Sequence, residues 1–394
     1  MEMILEPARQ TPVAASCDVL VCGGGIAGAA AALAAARMGK KTILLEREFL
    51  LGGLGTLGLV TIYLPLCDGR GHQVSFGIAE ELLRLSIRRG ADDRYPAPWL
   101  EGGTQEERIA KRFQVRYNPW LFATDLENHL KDNGVSILYG TSVNDVRVED
   151  GAITHVLIDN CSGRQAIRTG SVVDATGDAI VAHLAGAETA VYRKGNVLSA
   201  WYYYLTQGQL KLKMFGAKDI TGEREEAPLG GVRFSALDAA ENSEMLIRAR
   251  QEQMKDLEAF WKTTDPDMRP VTVPTIPDVR MTRRLAGLQT PDVADDHVFM
   301  PDSIGCIGSW RKAGPAFELP YGALYGNSIR NLFAAGRCIS TTDAMWDLTR
   351  VIPACAVTGQ AAGTAAAMTQ DASSLPVSEL QEALQDAGVR LHLE

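Results

Sequence analysis

The chain has 394 residues, of which 46% are hydrophobic, 22% charged and 7% aromatic, with 39 basic against 48 acidic residues and a formal net charge of −9. At roughly 150 residues per domain, about two to three units are expected, and the apolar fraction supports a large core rather than a disordered chain. The acidic balance argues against a broad nucleic-acid-binding face, because phosphate binding needs clustered Lys and Arg.

The cysteines Cys17, Cys22, Cys67, Cys161, Cys306, Cys338 and Cys355 are odd in number and scattered, with no Cys-x-x-Cys pair. Neither a disulfide framework nor a zinc site is expected, and no metal is; a reducing cytoplasm fits. Met1–Ser16 lacks the basic start and apolar stretch of a secretory signal. Val19–Ala36 carries no charge and reaches the lower limit of a spanning helix. Gly23-Gly24-Gly25 in its middle makes a poor helix interior, so a strand, a turn and a helix are expected, and no membrane.

In chain order, Cys17–Cys22 reads as a buried parallel strand, Gly23–Gly28 as a turn and Ala29–Met38 as a small-faced helix stopped by Gly39. Thr42–Leu45 is a second strand ending at Glu46, which completes one βαβ unit. Ile78–Arg89 and Pro119–Asn133 have helical spacing, separated by a Pro- and Gly-rich excursion at 90–103. Alternating runs at Ser142–Val148, Ile153–Ile158 and Gln165–Arg168, divided by Asp150-Gly151 and Ser162-Gly163, predict a meander, and Val172–Ala175 returns as a buried strand. Beyond residue 196 come an aromatic strand at Leu198–Leu205, an amphipathic helix at Leu237–Trp261 with Met254, Leu257 and Trp261 on one face, and a proline-stiffened connector at Thr264–Asp278. From Asn331 the pattern returns to apolar strand, glycine, loop and an alanine-rich helix ending near Met368.

The chemistry begins with Gly23-x-Gly25-x-x-Gly28 between strand and helix. The first glycine permits a tight turn, the second a close backbone approach to a pyrophosphate, and the third close helix–strand packing; anionic phosphate is favoured at the positive helix end. Glu46, eighteen residues after Gly28, ends the second strand where a ribose hydroxyl would donate to it. Three further elements follow: the loop Leu51-Gly52-Gly53-Leu54-Gly55, the run Val172-Val173-Asp174-Ala175-Thr176-Gly177-Asp178, and Leu332-Phe333-Ala334-Ala335-Gly336-Arg337.

With these elements the chain resembles the FAD-dependent oxidoreductases of the glutathione-reductase-like fold, in particular a broad, mostly bacterial branch. The resemblance extends through Val279–Arg284, Leu319–Leu324, Asn331–Ser340, Arg350–Cys355 and Gly359-x-Ala361-Ala362-Gly363, and leaves 196–278 unmatched. It implies a Rossmann-like α/β FAD-binding domain with a mixed α+β substrate or cap domain. Gly23, Gly25, Ile26, Ala27, Gly28, Glu46 and Arg47 would hold the ADP half of FAD, with Gly53, Leu54, Gly55 and Thr56 following the cofactor. Val143 would touch adenine through its backbone, and Ala175, Thr176, Gly177 and Asp178 would form a turn beneath it. Gly336 and Arg337 would lie by the ribitol and pyrophosphate, and Val351 and Ile352 near the flavin ring. Arg337 stands where many flavoproteins of this fold carry an aspartate that binds ribitol, so that contact must differ.

No Cys-x-x-x-x-Cys follows Glu46, which removes the dithiol reductases, and no second Gly-x-Gly-x-x-Gly turn is expected, nor therefore a separate NAD(P)H domain. Arg280, Arg283, Arg284 and Arg350 would hold a carboxylate or the negative charge of reduced flavin; the alternative for all four is interdomain ion pairing. His72, in Gly69-Arg70-Gly71-His72, is a candidate general base or a plain surface residue. The candidate catalytic set is Arg350, His72 and Arg283. Cys338 reads as packing, and one face of the strand carrying Trp201 and Tyr203 would wall the substrate pocket or simply pack.

The expected organisation is an FAD domain from 16–88, 118–195 and 315–370, a cap from 89–117 and 196–314, and a tail at 371–394. The expected function is transfer of hydride or electrons between a small organic substrate and flavin N5, in the cytoplasm, with an external electron donor or acceptor and a homodimeric assembly. A flavin monooxygenase and a non-redox flavoprotein subunit are the alternatives. Fold alone does not choose among them.

Overall fold

A computed structural model describes residues 4–5, 7–216 and 232–394. The chain opens with β1 (Val13–Cys22), whose last four residues are wholly buried, then α1 (Ile26–Arg37) and β2 (Thr42–Leu45). Strands β1 and β2 run parallel, with Val19 opposite Thr42 and Cys22 opposite Leu45. Helix α2 (Pro119–Asp132) follows the excursion; Asn118 caps it by accepting from the Trp120 and Leu121 N–H groups, and Pro119 supplies the fixed φ of a first helical position. Next come β3 (Ser136–Leu138), β4 (Ser142–Glu149), β5 (Ala152–Asn160) and β6 (Gly163–Asp174).

These strands form one sheet in the order β3-β2-β1-β6-β5-β4. The β3, β2, β1 and β6 neighbours are parallel, while β6–β5 and β5–β4 are antiparallel. The expected last meander strand and the expected buried strand are one continuous β6. Its first half pairs with β5, and Val172–Asp174 pairs on the same side with β9 (Leu332–Ala334; β7 and β8 lie in the segment expected as a cap, below). Gly170, between the two expected runs, lies within the strand at a close approach: a Cβ there would lie 3.0 Å from the Asp18 carbonyl.

The segment expected as a cap contains β7 (Ala200–Thr206) and β8 (Gln209–Phe215) as an antiparallel pair, and α3 (Ala239–Thr263). The buried stripe of α3 is Met245, Ala249, Gln253 and Leu257, while Met254 is exposed. Of the expected face, Leu257 is buried and Trp261 packs beside it, and only Met254 departs; Gln253 takes the inner position because its amide donates to the Thr272 carbonyl at 2.9 Å. In the connector, Arg269–Pro270 pairs with β7.

Helices α4 (Asp343–Thr349) and α5 (Ile352–Met368) follow β9. Helix α5 lies against α1 at a separation that only small residues allow: a Cβ at Gly359 or Gly363 would meet the Ala27 or Ala31 carbonyl at 2.2 or 2.1 Å. Residues 377–386 form a further helix, with Leu380 and Leu384 buried in the main core. Among the described residues no single helix is long and apolar enough to cross a membrane; α4 and α5 pass that test only as a pair, bent by 91°, and both are largely buried.

Candidate active site

The carboxyl ends of β1, β2, β6 and β9 open onto a cavity of about 440 Å³ that runs from Glu46 and Val143 to Arg350 and Cys355. In open parallel sheets this is where ligands bind. The turn into α1 is set by local sterics. Gly23 has φ +102°, and a Cβ there would lie 2.4 Å from the Ala175 carbonyl oxygen; a Cβ at Gly28 would lie 1.8 Å from the Gly23 carbonyl oxygen. Those two glycines are required by the fold. Gly25 is different: its φ is −66°, open to any residue, and a Cβ would meet no protein atom within 4 Å. Gly25 lines the cavity, and α1 starts there with no side-chain cap and no acidic residue in its first turn. Free N–H groups and the positive helix end thus face a space that a side chain would fill, which is the arrangement an anionic phosphate needs.

Glu46 is buried and fixes this loop. Its Oε2 accepts from the Gly24 N–H at 2.7 Å and its Oε1 from the Glu48 N–H at 2.8 Å. Burial raises its pKa from the ordinary value, opposed by those two N–H donors. Both oxygens keep lone pairs for a ligand hydroxyl. The spacing of the first glycine motif recurs at Gly53, Gly55 and Gly58, where it forms not a strand-to-helix turn but the short 3-10 turn Gly53–Gly55 beside the cavity.

The Ala175–Asp178 turn is held from beneath. Asp174 is wholly buried and accepts from the Thr176 hydroxyl at 2.7 Å and from the Ala182 N–H at 2.9 Å. The Cys338 thiol accepts from the Gly177 and Ala179 N–H groups at 3.2 and 3.4 Å. Asp178 accepts from the Thr282 hydroxyl at 2.8 Å and pairs with Arg337 at 3.4 Å, while the other arm of Arg337 donates to the Val279 carbonyl.

Arg350 lies at the junction of α4 and α5 and lines the cavity. Its guanidinium pairs with the buried Asp347 at 2.6 Å, and Arg311 takes the other oxygen of Asp347 at 2.6 Å. The Arg350 Nε is buried with no hydrogen-bond partner among the described residues. Burial pulls its pKa below the usual value, with Asp347 opposing and Arg280 adding to the shift.

Of the residues expected around the cofactor, Gly23, Gly25, Ile26, Ala27, Glu46, Arg47, Gly53, Leu54, Gly55, Val143, Ala175, Thr176, Gly177, Asp178, Arg337 and Ile352 line this one cavity. Gly28, Thr56, Gly336 and Val351 stand behind its wall: the Thr56 hydroxyl donates to the Leu51 carbonyl at 2.5 Å, and the Gly336 N–H donates to Thr358 at 3.0 Å. Two candidate catalytic residues lie elsewhere. His72 is held by Asp68 at 2.9 Å in a separate cavity of about 240 Å³ with Arg70, His297 and Arg390. Arg283 pairs with Val191 in a short ladder. Arg284 meets Asp343 at 2.9 Å and stacks 4.5 Å over Trp346, the ion-pairing alternative.

The segment expected as a cap closes one wall with Ala236, Asn242, Ile276, Pro277 and Val279. Val279 opens the quoted Val279–Arg284 run; the other four were not marked by sequence, because which face of these segments meets the cavity is a tertiary matter. Cys355 also lines it, within the quoted Arg350–Cys355 run. The Gly55 carbonyl accepts from the Tyr117 hydroxyl at 2.8 Å, and outside the cavity lining the Arg116 Nε is buried with no hydrogen-bond partner among the described residues. Burial raises the Tyr203 pKa, and hydrogen bonding with the Thr61 side chain beside it opposes the shift.

A sequence profile described as FAD dependent oxidoreductase matches residues 18–200 and 295–384. The chain belongs to that family. Its members' cofactor fits the cavity just described: a glycine that the fold does not need, an uncapped helix start and a buried arginine whose Nε has no partner among the described residues suit a dinucleotide. This FAD-dependent oxidoreductase is 27% identical over 228 residues to aklavinone 12-hydroxylase DnrF of Streptomyces peucetius, a match covering 47% of this chain and 44% of that protein. The chain thus spans under half the length of the curated relatives it matches. Among solved structures it is similar to a geranylgeranyl bacteriochlorophyll reductase-like protein from Thermoplasma acidophilum, with 14% identity, 95% of this chain and 82% of that chain covered and a TM-score of 0.45. It is also similar to p-nitrophenol 4-monooxygenase PnpA from Pseudomonas putida, with 13% identity, coverages of 94% and 84% and a TM-score of 0.49.

Proposed function

We propose that this oxidoreductase passes hydride or electrons between a small organic molecule and FAD held in the cavity, with the first glycine turn and Glu46 binding the ADP half. When bound, FAD supplies the electron-pair acceptor at N5. The observation that supports the reading most is Arg350. It is a buried cation on the cavity wall, anchored by Asp347 and with Nε unsatisfied, and so is suited to stabilise negative charge in a low-dielectric site. Ile352 and Cys355 form the apolar wall beside it and exclude water. Seven free thiols suit a reducing, cytoplasmic setting.

The similarity to aklavinone 12-hydroxylase favours a second reading, hydroxylation with molecular oxygen and an external reductant. Anaerobic mixing decides between them. Under the first reading, small alcohols, amines or acids bleach the visible flavin band with no nicotinamide present. Under the second, only NADH or NADPH bleaches it, and oxygen then yields a hydroxylated product. A flavin that neither class reduces overturns both readings.

A further inference from the structure

Asn242 lies in the first turns of α3, in the part of the chain that the family profile leaves unmatched, and it lines the cavity. Its Nδ2 donates to the Ala236 carbonyl at 3.2 Å. This anchor fixes the amide, since the reversed orientation would set two carbonyl oxygens against each other. Oδ1 is therefore the free end, and it is buried with no hydrogen-bond partner among the described residues. Leaving a buried acceptor unpaired is costly, and such atoms are rare in folded proteins.

The anchor is itself unusual. Ala236 also lines the cavity and is held at φ +60°, a left-handed conformation that alanine seldom adopts. Glu241 sustains it, its Oε2 accepting from the Ser235 and Ala236 N–H groups at 2.7 and 3.3 Å. Two carboxamide and carboxylate side chains from one helix turn thus hold a strained residue in place, and the product of that arrangement is one unpaired oxygen on a cavity-lining residue.

We infer that Asn242 is a cofactor-binding residue contributed by the cap, its Oδ1 accepting a hydrogen bond from a hydroxyl of bound FAD. The phosphates of a dinucleotide offer only acceptors; its donors are the adenine amino group, the flavin N3–H and the hydroxyls of ribose and ribitol, and we take the last of these as the partner of the amide oxygen. Arg337 stands close by: it donates to Val279, which packs in the same small core as Ala236. The inference rests on FAD occupying this cavity, and it ties the cap to the cofactor without any substrate present.

The test uses the full chain, stripped of flavin and titrated with FAD in the absence of substrate, with the melting temperature of the flavin-free protein measured alongside. Asn242→Leu removes the acceptor at similar volume. The expected result is a Kd for FAD raised about ten-fold, as for one lost hydrogen bond, with the flavin-free melting temperature within about 3 °C of the parent. A Kd within two-fold of the parent overturns the inference, and so does a weakened Kd accompanied by a drop of more than about 5 °C in the flavin-free protein, which marks a structural role. Should the Leu variant not fold, Asn242→Ala is read by the same two measurements. A parent protein that takes up no FAD would instead overturn the cofactor reading of the cavity.

Discussion

Replacing Gly25 with valine separates binding from folding. The structure gives that glycine no work within the protein: its φ of −66° and ψ of −179° suit valine, and a Cβ meets no protein atom within 4 Å. Losing glycine at a helix N-cap costs up to about 1 kcal/mol, and stiffening the unfolded chain returns about 0.4–1 kcal/mol. The flavin-free protein should therefore melt within about 4 °C of the parent. The added methyls occupy the space through which phosphate oxygens reach the free N–H groups of α1. Each hydrogen bond to a charged group contributes about 1.5–3 kcal/mol, so losing two lowers FAD affinity by roughly 100-fold to 10,000-fold. Gly28→Ala is the contrast, because its Cβ would lie 1.8 Å from the Gly23 carbonyl oxygen and must force α1 away from β1. That variant loses stability with or without flavin. Fluorescence titration with FAD and thermal melts of the flavin-free proteins read both effects. Stoichiometric, tight FAD in Gly25→Val, or equal destabilisation by the two variants, would refute the reasoning.

Arg350→Met removes the cation from the cavity wall while Asp347 keeps its 2.6 Å contact with Arg311. The flavin reduction potential should fall by on the order of 30–60 mV, with a stability loss below about 3 kcal/mol; an unchanged potential with a large stability loss marks a purely structural pair. Glu46 gives a pH dependence of two signs. Because burial raises its pKa, the folded chain holds this proton more tightly than the unfolded chain, so the group stabilises the flavin-free protein as pH falls through the folded value toward the ordinary 4.5 and loses that contribution as pH rises. FAD affinity runs the other way, since a protonated carboxyl accepts fewer hydrogen bonds from ribose. Both slopes should flatten in Glu46→Gln, measured by melts and titrations across that range; slopes identical to the parent would assign the dependence elsewhere. His72→Ala, in the separate cavity with Asp68, should leave FAD affinity and turnover within two-fold, and a large loss of turnover would return His72 to the site.

The cavity wall was legible in the sequence where local sterics dictate the residue. Gly23 and Gly28 answer to backbone carbonyls within a few residues or one strand away, and Glu46 ends the neighbouring strand, so the motif spacing carries the geometry. What sequence could not supply depends on long-range packing. Gly170 lies between the two expected runs, yet inside β6, where the backbone of Asp18 passes close to it. Gln253 hid part of the buried stripe of α3, since its satisfaction comes from Thr272 on another segment. His72 and Arg283 were plausible as residue types, yet neither position in the chain says which cavity or ladder it reaches. Asn242 and Ile276 carried no signal, because that wall of the cavity is assembled from segments distant along the chain.

The most direct measurement is the visible spectrum of the purified protein before and after heat precipitation, followed by titration of the flavin-free chain with FAD. The account predicts a flavin band released intact into the supernatant and recovered at one FAD per chain, a recovery that Gly25→Val abolishes. A colourless protein that takes up no added FAD, or one that binds it equally well with valine at position 25, would contradict it.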